Sequence, residues 1–481
     1  MNYKKLGLKV GLEIHQQLDT NKLFCDCPCK IRKDKPDIIV KRELRPMPGE
    51  TGVIDKAALY EKKKKKFYIY EAYSDTNCLV ELDEEPPHKI NQEALDVALI
   101  IAKMLNCDIP EYVQVMRKTV VDGSNTSGFQ RTALIARNGC LETKEGKIGI
   151  ESICLEEDAG RRTAEDKESV TFRLDRLGIP LVEIATAPDI KTPNQAREVA
   201  KKLGNLLRAT GKVKRGIGTI RQDLNVSIKK GARVEIKGVQ DLKSMPKIVV
   251  KEIERQKSVV DKKKKVDNAV RNVKSDNTTK YLRPMPGAAR MYPETDLPLI
   301  HITQKRLKSL VLPETHEEKQ DKLEKLGLNK DLAKQIISIG RTNDFEKFSK
   351  KYSKVNSTLI ATTLTSSAKE VKRKLKLDKF EPSNEVLDKL FTGLSGGSKN
   401  IPSISKESIL DILLEYGKSS KNIVNIMKNY ETLSDKELEK EVNKLLKKHK
   451  DAPENKVKGI IIGQLKSKAS PKKIIQILNK K

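Results

Sequence analysis

The residues best suited to metal or phosphate chemistry lie in two strand-like segments before the middle of the chain. The first, residues 149–160, alternates apolar and polar side chains and then ends in three carboxylates, Glu156, Glu157 and Asp158. A second apolar run sets Glu183 inside another strand. A carboxylate within an apolar run has a desolvation cost unless a cation neutralises it. That cation is either an arginine of a salt-bridged sheet edge or a divalent metal with phosphate, and these segments alone leave both open.

Glu13 and His15 form a second candidate pair, in the alternating stretch of residues 7–15. Residues two apart on a strand project from the same face, so the carboxylate and the imidazole lie side by side, opposite Leu12 and Ile14. A carboxylate and an imidazole on one face are half of a metal site. Strands also carry such residues toward solvent, so the pair gains weight only beside further ligands.

Three cysteines within five residues, Cys25, Cys27 and Cys29, indicate a candidate zinc site. Their C-x-C-x-C spacing differs from the C-x₂-C of most zinc motifs, and a fourth ligand would have to come from Cys78 or His88. A zinc centre of the three cysteines with Cys78 is one interpretation, and reduced thiols without metal are the other.

A polar, glycine-rich loop spans residues 122–128 between two strand-like segments. Its backbone N–H groups and hydroxyls, including that of Ser127, are groups that can hold an anion. The loop lacks the G-x-x-x-x-G-K-[ST] pattern of a P-loop. Alone it predicts only a turn, but Arg117, Lys118 and Arg131 flank it, so phosphate or the end of a nucleic acid is a candidate ligand.

The chain is long and strongly basic, with 481 residues and a formal net charge of +30. This length allows roughly two to four domains. The charge favours a polyanion partner, since lysines and arginines that neutralise phosphates release counterions. The alternative is that a generally lysine-rich composition inflates the count.

The sequence also predicts a cytoplasmic protein without membrane association. No segment approaches the roughly 18 apolar residues of a spanning helix, and the N-terminus lacks the apolar core of a signal peptide. The seven cysteines are an odd number, which argues against a complete disulfide framework and fits a reducing compartment.

The patterns change along the chain and predict three domains of α+β class overall. Strand-like segments dominate residues 1–302, with a lysine-rich linker at 257–280, whereas helical patterns predominate from 303 onward. We expect an all-helical domain over 303–417 and a small basic helical tail over 418–481. Residues 455–481 hold eight lysines and no acidic residue, which is typical of a nucleic-acid arm or of a solvated helical cap.

Five ordered motifs, spread over most of the chain, resemble the B/E family of tRNA-dependent amidotransferase subunits. They are Gly11-Leu-Glu-Ile-His15, Leu155-Glu-Glu-Asp-Ala-Gly160, Pro180-Leu-Val-Glu-Ile184, Arg221-Gln-Asp-Leu-Asn-Val-Ser227 and Tyr292-Pro-Glu-Thr-Asp-Leu-Pro298. Residues 78–88, 128–132 and 215–223 resemble the archaeal E-type more than the bacterial B-type. E-type subunits usually carry an inserted domain similar to one in aspartyl-tRNA synthetases, and here the lysine-rich linker stands in its place.

The resemblance implies a cradle similar to the catalytic chamber of glutamine synthetase, followed by helical and tail domains that bind tRNA. It implies an enzyme that uses ATP and Mg²⁺ to phosphorylate the γ-carboxylate of glutamate on tRNA(Gln) and then replaces phosphate with ammonia. An asparaginase-like glutaminase partner would supply the ammonia, in a heterodimer or a dimer of heterodimers. A bacterial-type B subunit and a non-catalytic basic tRNA-binding protein are the alternatives.

The resemblance also assigns roles to individual residues of this chain. The implied catalytic residues are Glu13, His15, Glu157, Glu183 and Asp223. The implied Mg²⁺ ligands are the first four of these. Strand alternation lets only one of Glu156 and Glu157 face the site, and the family's pattern selects Glu157. The implied contacts to ATP come from one hydroxyl and four cations, namely Arg117, Ser127, Arg131, Arg173 and Lys237.

Overall fold

The computed structural model describes residues 2–43, 52, 66–120, 122–285, 291–378, 380–419, 422–449 and 453–479. The chain divides into an N-terminal unit, Met1–Pro313, and a C-terminal unit, Glu314–Lys481. Strands and helices mix in the first unit, and the second is helical, as the sequence predicts. The division falls after residue 313 rather than 302.

The N-terminal unit is built from short and long strands with four described helices. The strands are β1 (Lys9–Gln17), β2 (Ile38–Arg42), β3 (Phe67–Ala72), β4 (Tyr112–Val113), β5 (Val115–Thr119), β6 (Phe129–Thr143), β7 (Gly146–Glu157), β8 (Arg161–Glu165), β9 (Ser169–Arg173), β10 (Pro180–Thr186), β11 (Ile220–Ser227), β12 (Val234–Lys237), β13 (Ala269–Val273), β14 (Thr279–Pro284), β15 (Met291–Pro293) and β16 (Ile300–His301). The helices are α1 (Gln92–Met104), α2 (Pro193–Ala209), α3 (Met245–Asp261) and α4 (Gln304–Ser309).

A ten-stranded sheet forms the centre of this unit, in the order β14-β13-β12-β11-β1-β10-β7-β6-β5-β15. Its neighbours are antiparallel except for β12 and β13. One face packs against α1, α2 and α3 through apolar side chains such as Leu12, Ile14, Val182 and Leu224, all at most 1% exposed. Because side chains alternate along a strand, the opposite face of the same central strands receives the polar residues.

A second sheet, four-stranded in the order β2-β3-β9-β8, has its own small core around Tyr70 and Phe172. Strands β4 and β16 pair separately as a two-stranded sheet. Helix α2 has a well-formed N-terminus. Thr192 caps it by accepting a hydrogen bond from the Gln195 backbone N–H, and Pro193 occupies the first turn.

The lysine-rich stretch 257–280 is not a linker, which corrects the sequence-based prediction. Its first residues complete α3, and its later residues form β13 and lead into β14. The backbone N–H of Lys274 donates to the Thr278 carbonyl at 2.8 Å and closes a tight hairpin. Ala269 and Val270 of β13 are buried beside β12. These few apolar residues are enough to pack the strand against its neighbour, and the many charged residues around them concealed it in the sequence.

The described elements of the C-terminal unit are helices joined by loops. Its α-helices are α5 (His316–Lys325), α6 (Lys330–Ser338), α7 (Thr342–Lys351), α8 (Ser357–Thr362), α9 (Ala368–Leu375), α10 (Asn384–Leu394), α11 (Ile409–Ser419), α12 (Ile423–Lys428), α13 (Asp435–Lys448), α14 (Glu454–Leu465) and α15 (Pro471–Leu478). A π-helical turn, Thr363–Ser367, joins α8 to α9, and a 3₁₀ turn, Lys406–Ser408, precedes α11. No described helix combines the length and apolarity needed to cross a bilayer.

Three apolar clusters hold these helices together, and they shift the predicted start of the tail. Helix α12 contributes Ile423 and Met427 to the same cluster as Ile412 of α11, so the predicted boundary at 417/418 divides one core. A separate cluster begins near Leu433 and joins α13, α14 and α15. The basic tail with its own core therefore starts about fifteen residues later than predicted.

Candidate active site

The predicted histidine and carboxylates meet on the face of the ten-stranded sheet that lies opposite the helices. In the strand register, Glu13 of β1 pairs with Asp223 of β11, and His15 of β1 pairs with Glu183 of β10. Directly paired residues share a face, so all four side chains converge. His15 Nε2 lies 3.3 Å from Glu183 Oε2 and 3.6 Å from Glu13 Oε1.

Glu156, and not Glu157, completes this group. The β7–β10 register places Cys154 opposite Glu183, so Glu156, two residues further on, projects from the same face of the sheet. Its Oε1 lies 3.8 Å from His15 Nε2. Glu157 faces the other side, where its carboxylate accepts from the Arg131 backbone N–H at 3.1 Å. The prediction that Glu157 shares the site with Glu13 and His15 is therefore wrong in its geometry. The sequence motif places the two acids side by side, and only the register decides which one turns inward.

We call Glu13, His15, Glu156, Glu183 and Asp223 the carboxylate cluster. Lys118 of β5 reaches it from across the sheet, and the sequence alone did not identify this lysine as a cluster member. Its Nζ donates to Glu156 Oε2 at 2.6 Å and lies 3.5 Å from Glu183 Oε2. Alternation along residues 115–119 predicts from which face of the strand Lys118 projects. It does not predict which carboxylates Lys118 contacts.

Burial and the mutual repulsion of the carboxylates give the members of the cluster different pKa values. Burial, with the nearby charge of Glu183, raises the pKa of Glu156 to about 7 although Lys118 opposes it. Burial would also raise the pKa of Glu183, but the hydrogen bond from His15 and the Lys118 ammonium hold it well below its usual range. Burial would lower the pKa of His15, but Glu183 and the other carboxylates raise it. At neutral pH the group thus favours ionised Glu183 and a readily protonated Glu156.

The carboxylate cluster has the donor atoms of a divalent-metal site. Ligand atoms of Glu13, His15 and Asp223 lie within 4.8 Å of one another, as do those of His15, Glu156 and Glu183. Glu156 Oε1 is buried and has no hydrogen-bond partner among the described residues. A buried carboxylate oxygen without a hydrogen-bond donor can instead bind a cation. A set of carboxylate oxygens with one imidazole fits Mg²⁺.

Lys237 extends the cluster along the same face. Its Nζ lies 2.9 Å from Asp223 Oδ2 and 2.7 Å from Glu235 Oε1. Burial alone would lower the pKa of Lys237, but these two carboxylates raise it, so the ammonium stays charged beside the cluster.

The other predicted contacts to ATP are engaged elsewhere. Arg117 and Arg131 both bind Glu294, which is 1% exposed. Arg173 belongs to the four-stranded sheet and donates to Glu71 Oε2 at 2.8 Å, and the Ser127 hydroxyl donates to the Phe129 carbonyl at 3.0 Å. The structure does not bring these groups to the carboxylate cluster.

A second candidate metal centre lies in the N-terminal unit and consists of Cys25, Cys27, Cys78 and Glu81, here called the cysteine cluster. Ligand atoms of these four residues lie within 4.8 Å of one another. The Cys25 thiol donates to Glu81 Oε1 at 2.8 Å, and the neighbouring Cys25 side chain lowers the pKa of Cys27 to about 7. Cys29 is outside this group, contrary to the prediction. Glu81 takes the fourth position because the Cys78 backbone N–H, three residues away, binds its carboxylate at 2.8 Å.

Known proteins resemble this chain along its length. A family model described as the GatB/GatE catalytic domain matches residues 8–308, which contain both clusters. The E subunit of glutamyl-tRNA(Gln) amidotransferase from Methanocaldococcus jannaschii is 38% identical over 631 residues, covering 100% of this chain and 99% of the relative. The E subunit from Saccharolobus solfataricus is 37% identical, covering 99% and 98%, and that from Methanococcus maripaludis strain C5 is 40% identical, covering 82% and 84%.

The length of these alignments indicates what this chain lacks. The alignment to the M. jannaschii protein spans 631 residues, whereas this chain has 481 and is covered completely. The relative therefore carries segments without a counterpart here, and the hairpin between β13 and β14 is closed by only a few residues.

Proposed function

This chain belongs to the GatB/GatE family, and on that premise we propose that it is the ATP-dependent subunit of a glutamyl-tRNA(Gln) amidotransferase. In this proposal it phosphorylates the γ-carboxylate of glutamate carried by tRNA(Gln) and replaces the phosphate with ammonia. The observation that carries the proposal is the carboxylate cluster, assembled on one sheet face within the matched segment. The three relatives compared are all E subunits, which favours this assignment over a bacterial-type B subunit.

The first step joins two anions. A γ-carboxylate oxygen attacks the γ-phosphorus of ATP, ADP leaves, and an acyl phosphate forms. The barrier is mostly electrostatic, so positioning and charge neutralisation account for most of the catalysis. Mg²⁺ held by Glu13, His15, Glu156 and Glu183 would supply that neutralisation. Lys118 keeps Glu156 and Glu183 together, and Lys237 sets the position of Asp223.

The second step replaces phosphate with nitrogen. The nitrogen of ammonia attacks the acyl carbon, inorganic phosphate leaves, and the nitrogen loses one proton to give the amide of glutamine. We assign the release of ammonia to an asparaginase-like glutaminase subunit, in a heterodimer or a dimer of heterodimers, acting in the cytoplasm. The N-terminal unit serves as the cradle, with a chamber similar to that of glutamine synthetase, and the C-terminal unit binds tRNA.

We also propose that the cysteine cluster binds a structural zinc ion. Three thiols and one carboxylate suit tetrahedral Zn²⁺, and the thiol of Cys27 ionises most easily. Lys22, which is fully buried with its Nζ 3.2 Å from Glu81 Oε1, offsets part of the negative charge.

The enzymatic proposal is tested on the chain in complex with its partner, with glutamine, ATP, Mg²⁺ and Glu-tRNA(Gln). We expect formation of Gln-tRNA(Gln) coupled to ATP consumption. Glu183→Gln should lower the phosphorylation rate at least about a thousandfold, because a ligand and a buried charge are lost, with the affinity for tRNA unchanged.

If an intact complex forms neither ADP nor Gln-tRNA(Gln), the enzymatic proposal is contradicted and the chain is a tRNA-binding protein. Glu142→Gln is the matched control, since this exposed acid lies on β6 outside the cluster and its carboxylate pairs with the exposed Lys147. It should retain full activity.

A further inference from the structure

Three arginines, Arg161, Arg176 and Arg221, form a cluster beside the carboxylate cluster, at the end of β7. Arg221 of β11 pairs with His15 of β1 in the sheet register, so its side chain begins on the same face. It reaches Asp158, just past β7, where Nη2 donates to Oδ1 at 2.8 Å. Gln17 donates to the other oxygen of Asp158 at 2.7 Å and fixes the carboxylate from the β1 side.

Positive charge is in excess at this place. The three guanidinium groups share two carboxylates, Asp158 and Asp175, both of which are almost fully buried. Burial, with the charges of Arg221 and Arg161, lowers the pKa of Arg176 even though Asp158 lies nearby. A partly buried guanidinium that its neighbours compensate only in part is stabilised by an added anion.

The arginine cluster still has donors to offer. Arg176 uses Nε and Nη2 to hold the carbonyls of Ala159 and Gly160, which orients its guanidinium. Arg221 uses Nη2 for Asp158, whereas its Nε and Nη1 have no partner among the described residues, and the side chain is 34% exposed. A planar guanidinium with free parallel donors is the group that binds phosphate oxygens in pairs.

The loop before Arg221 leaves room for a ligand. Gly216 and Gly218 have φ angles of +126° and +84°, and no atom lies within 4 Å of the position that a Cβ would take at either residue. Residues 214–219 include Lys214 and Arg215 and no acid. An anion can therefore approach the backbone and Arg221 without meeting a side-chain carboxylate of the loop.

We propose that Arg221 and Arg176 bind the β- and γ-phosphate oxygens of ATP beside the carboxylate cluster. This rests on the proposed function and names its phosphate-binding residues, in place of Arg117, Arg131 and Arg173. Those three arginines already bind Glu294 and Glu71. Arg221 of β11 pairs directly with His15 of the neighbouring strand β1, so phosphate held there lies next to the metal ligands, as transfer of the γ-phosphoryl group requires.

The test compares the binding of ATP and of adenosine to the purified full-length chain with Mg²⁺, by titration calorimetry. Arg221→Gln should raise the Kd for ATP at least about tenfold, since a charge-assisted hydrogen bond is lost, and should leave the Kd for adenosine unchanged. Arg176→Lys should weaken ATP binding in the same selective way. The control Arg197→Gln removes an exposed guanidinium on the helical side and should change neither constant.

The outcomes separate this inference from the proposed function. If the wild-type chain binds ATP and both arginine variants bind it equally well, the arginine assignment is overturned while the proposed function stands. An equal loss of ATP and adenosine binding in Arg221→Gln would mean that the arginine only supports the fold. A wild-type chain that does not bind ATP contradicts both proposals.

Discussion

At the scale of single residues, the unusual feature is an acid that the fold keeps near its protonated form. Glu156 is fully buried, close to ionised Glu183, and its pKa is raised to about 7. Burying this group has a cost in stability, because burying a charge is unfavourable. Lys118 compensates only part of that cost.

We predict that Glu156→Gln stabilises the metal-free protein at pH 8 by about 1–3 kcal/mol. The folded pKa of about 7 exceeds the ordinary value of 4.5, so the folded state binds this proton more tightly than the unfolded state. The wild type therefore carries the full cost above about pH 7 and loses it as the pH falls toward 4.5. Urea unfolding with a chelator, at pH 8 and pH 5, measures the difference.

The control is Glu168→Gln, which neutralises an exposed acid and should not alter the pH dependence. An equal or larger gain for Glu156→Gln at pH 5 than at pH 8 would show that its charge is not the cause.

At the scale of elements, the cysteine cluster ties together two loops that are far apart in sequence. Cys25 and Cys27 lie between β1 and β2, and Cys78 and Glu81 lie between β3 and α1. A zinc ion there would link the loop between β1 and β2 to the loop between β3 and α1. Metal binding is then part of the folding free energy of both loops.

We predict about one zinc per purified chain, measured by mass spectrometry of the metal, and a lower Tm after chelation. Cys78→Ser and Glu81→Ala should lose the zinc, because each removes a ligand from the group of four. Cys29→Ser is the matched control, since Cys29 lies outside the group and its carbonyl binds Lys214. Zinc loss in Cys29→Ser alone would return the site to the arrangement expected from the sequence.

At the scale of the whole molecule, the two units divide the proposed work. The family match covers residues 8–308, nearly the whole N-terminal unit, and the lysine-rich end lies in the C-terminal unit. The tail from about Leu433 has an apolar core of its own, which joins its three basic helices. A phosphate backbone bound there would make affinity for tRNA depend on salt.

We predict that replacing Lys466 and Lys472 with glutamine weakens tRNA binding. The slope of log Kd against log salt should fall by about 2 if both lysines contact phosphates. Filter binding at several salt concentrations measures it. Replacing Lys334 and Lys350 of α6 and α7, which are also exposed or partly exposed, removes equal charge and serves as the control. Equal effects of the two double variants would mean that only net charge matters.

The sequence by itself determined the strand-rich first part and the helical second part of the chain, the acidic and cysteine motifs and the family, because alternation, helical periodicity and ordered motifs are local patterns. Glu13 and His15 share a face, as the alternation over residues 7–15 predicts. The sequence-based prediction of a linker at 257–280 was wrong, because the many charged residues there concealed Ala269 and Val270 of β13.

Only the tertiary structure decided which of these groups meet. Glu156 replaced Glu157, Lys118 joined the acids, Glu81 replaced Cys29, and Arg221 came to Asp158. Each of these contacts depends on strand register or on a loop contact between distant segments, and a shift of one residue turns every side chain to the other face. Local alternation defines two faces for each strand, and the register alone assigns them to a common site.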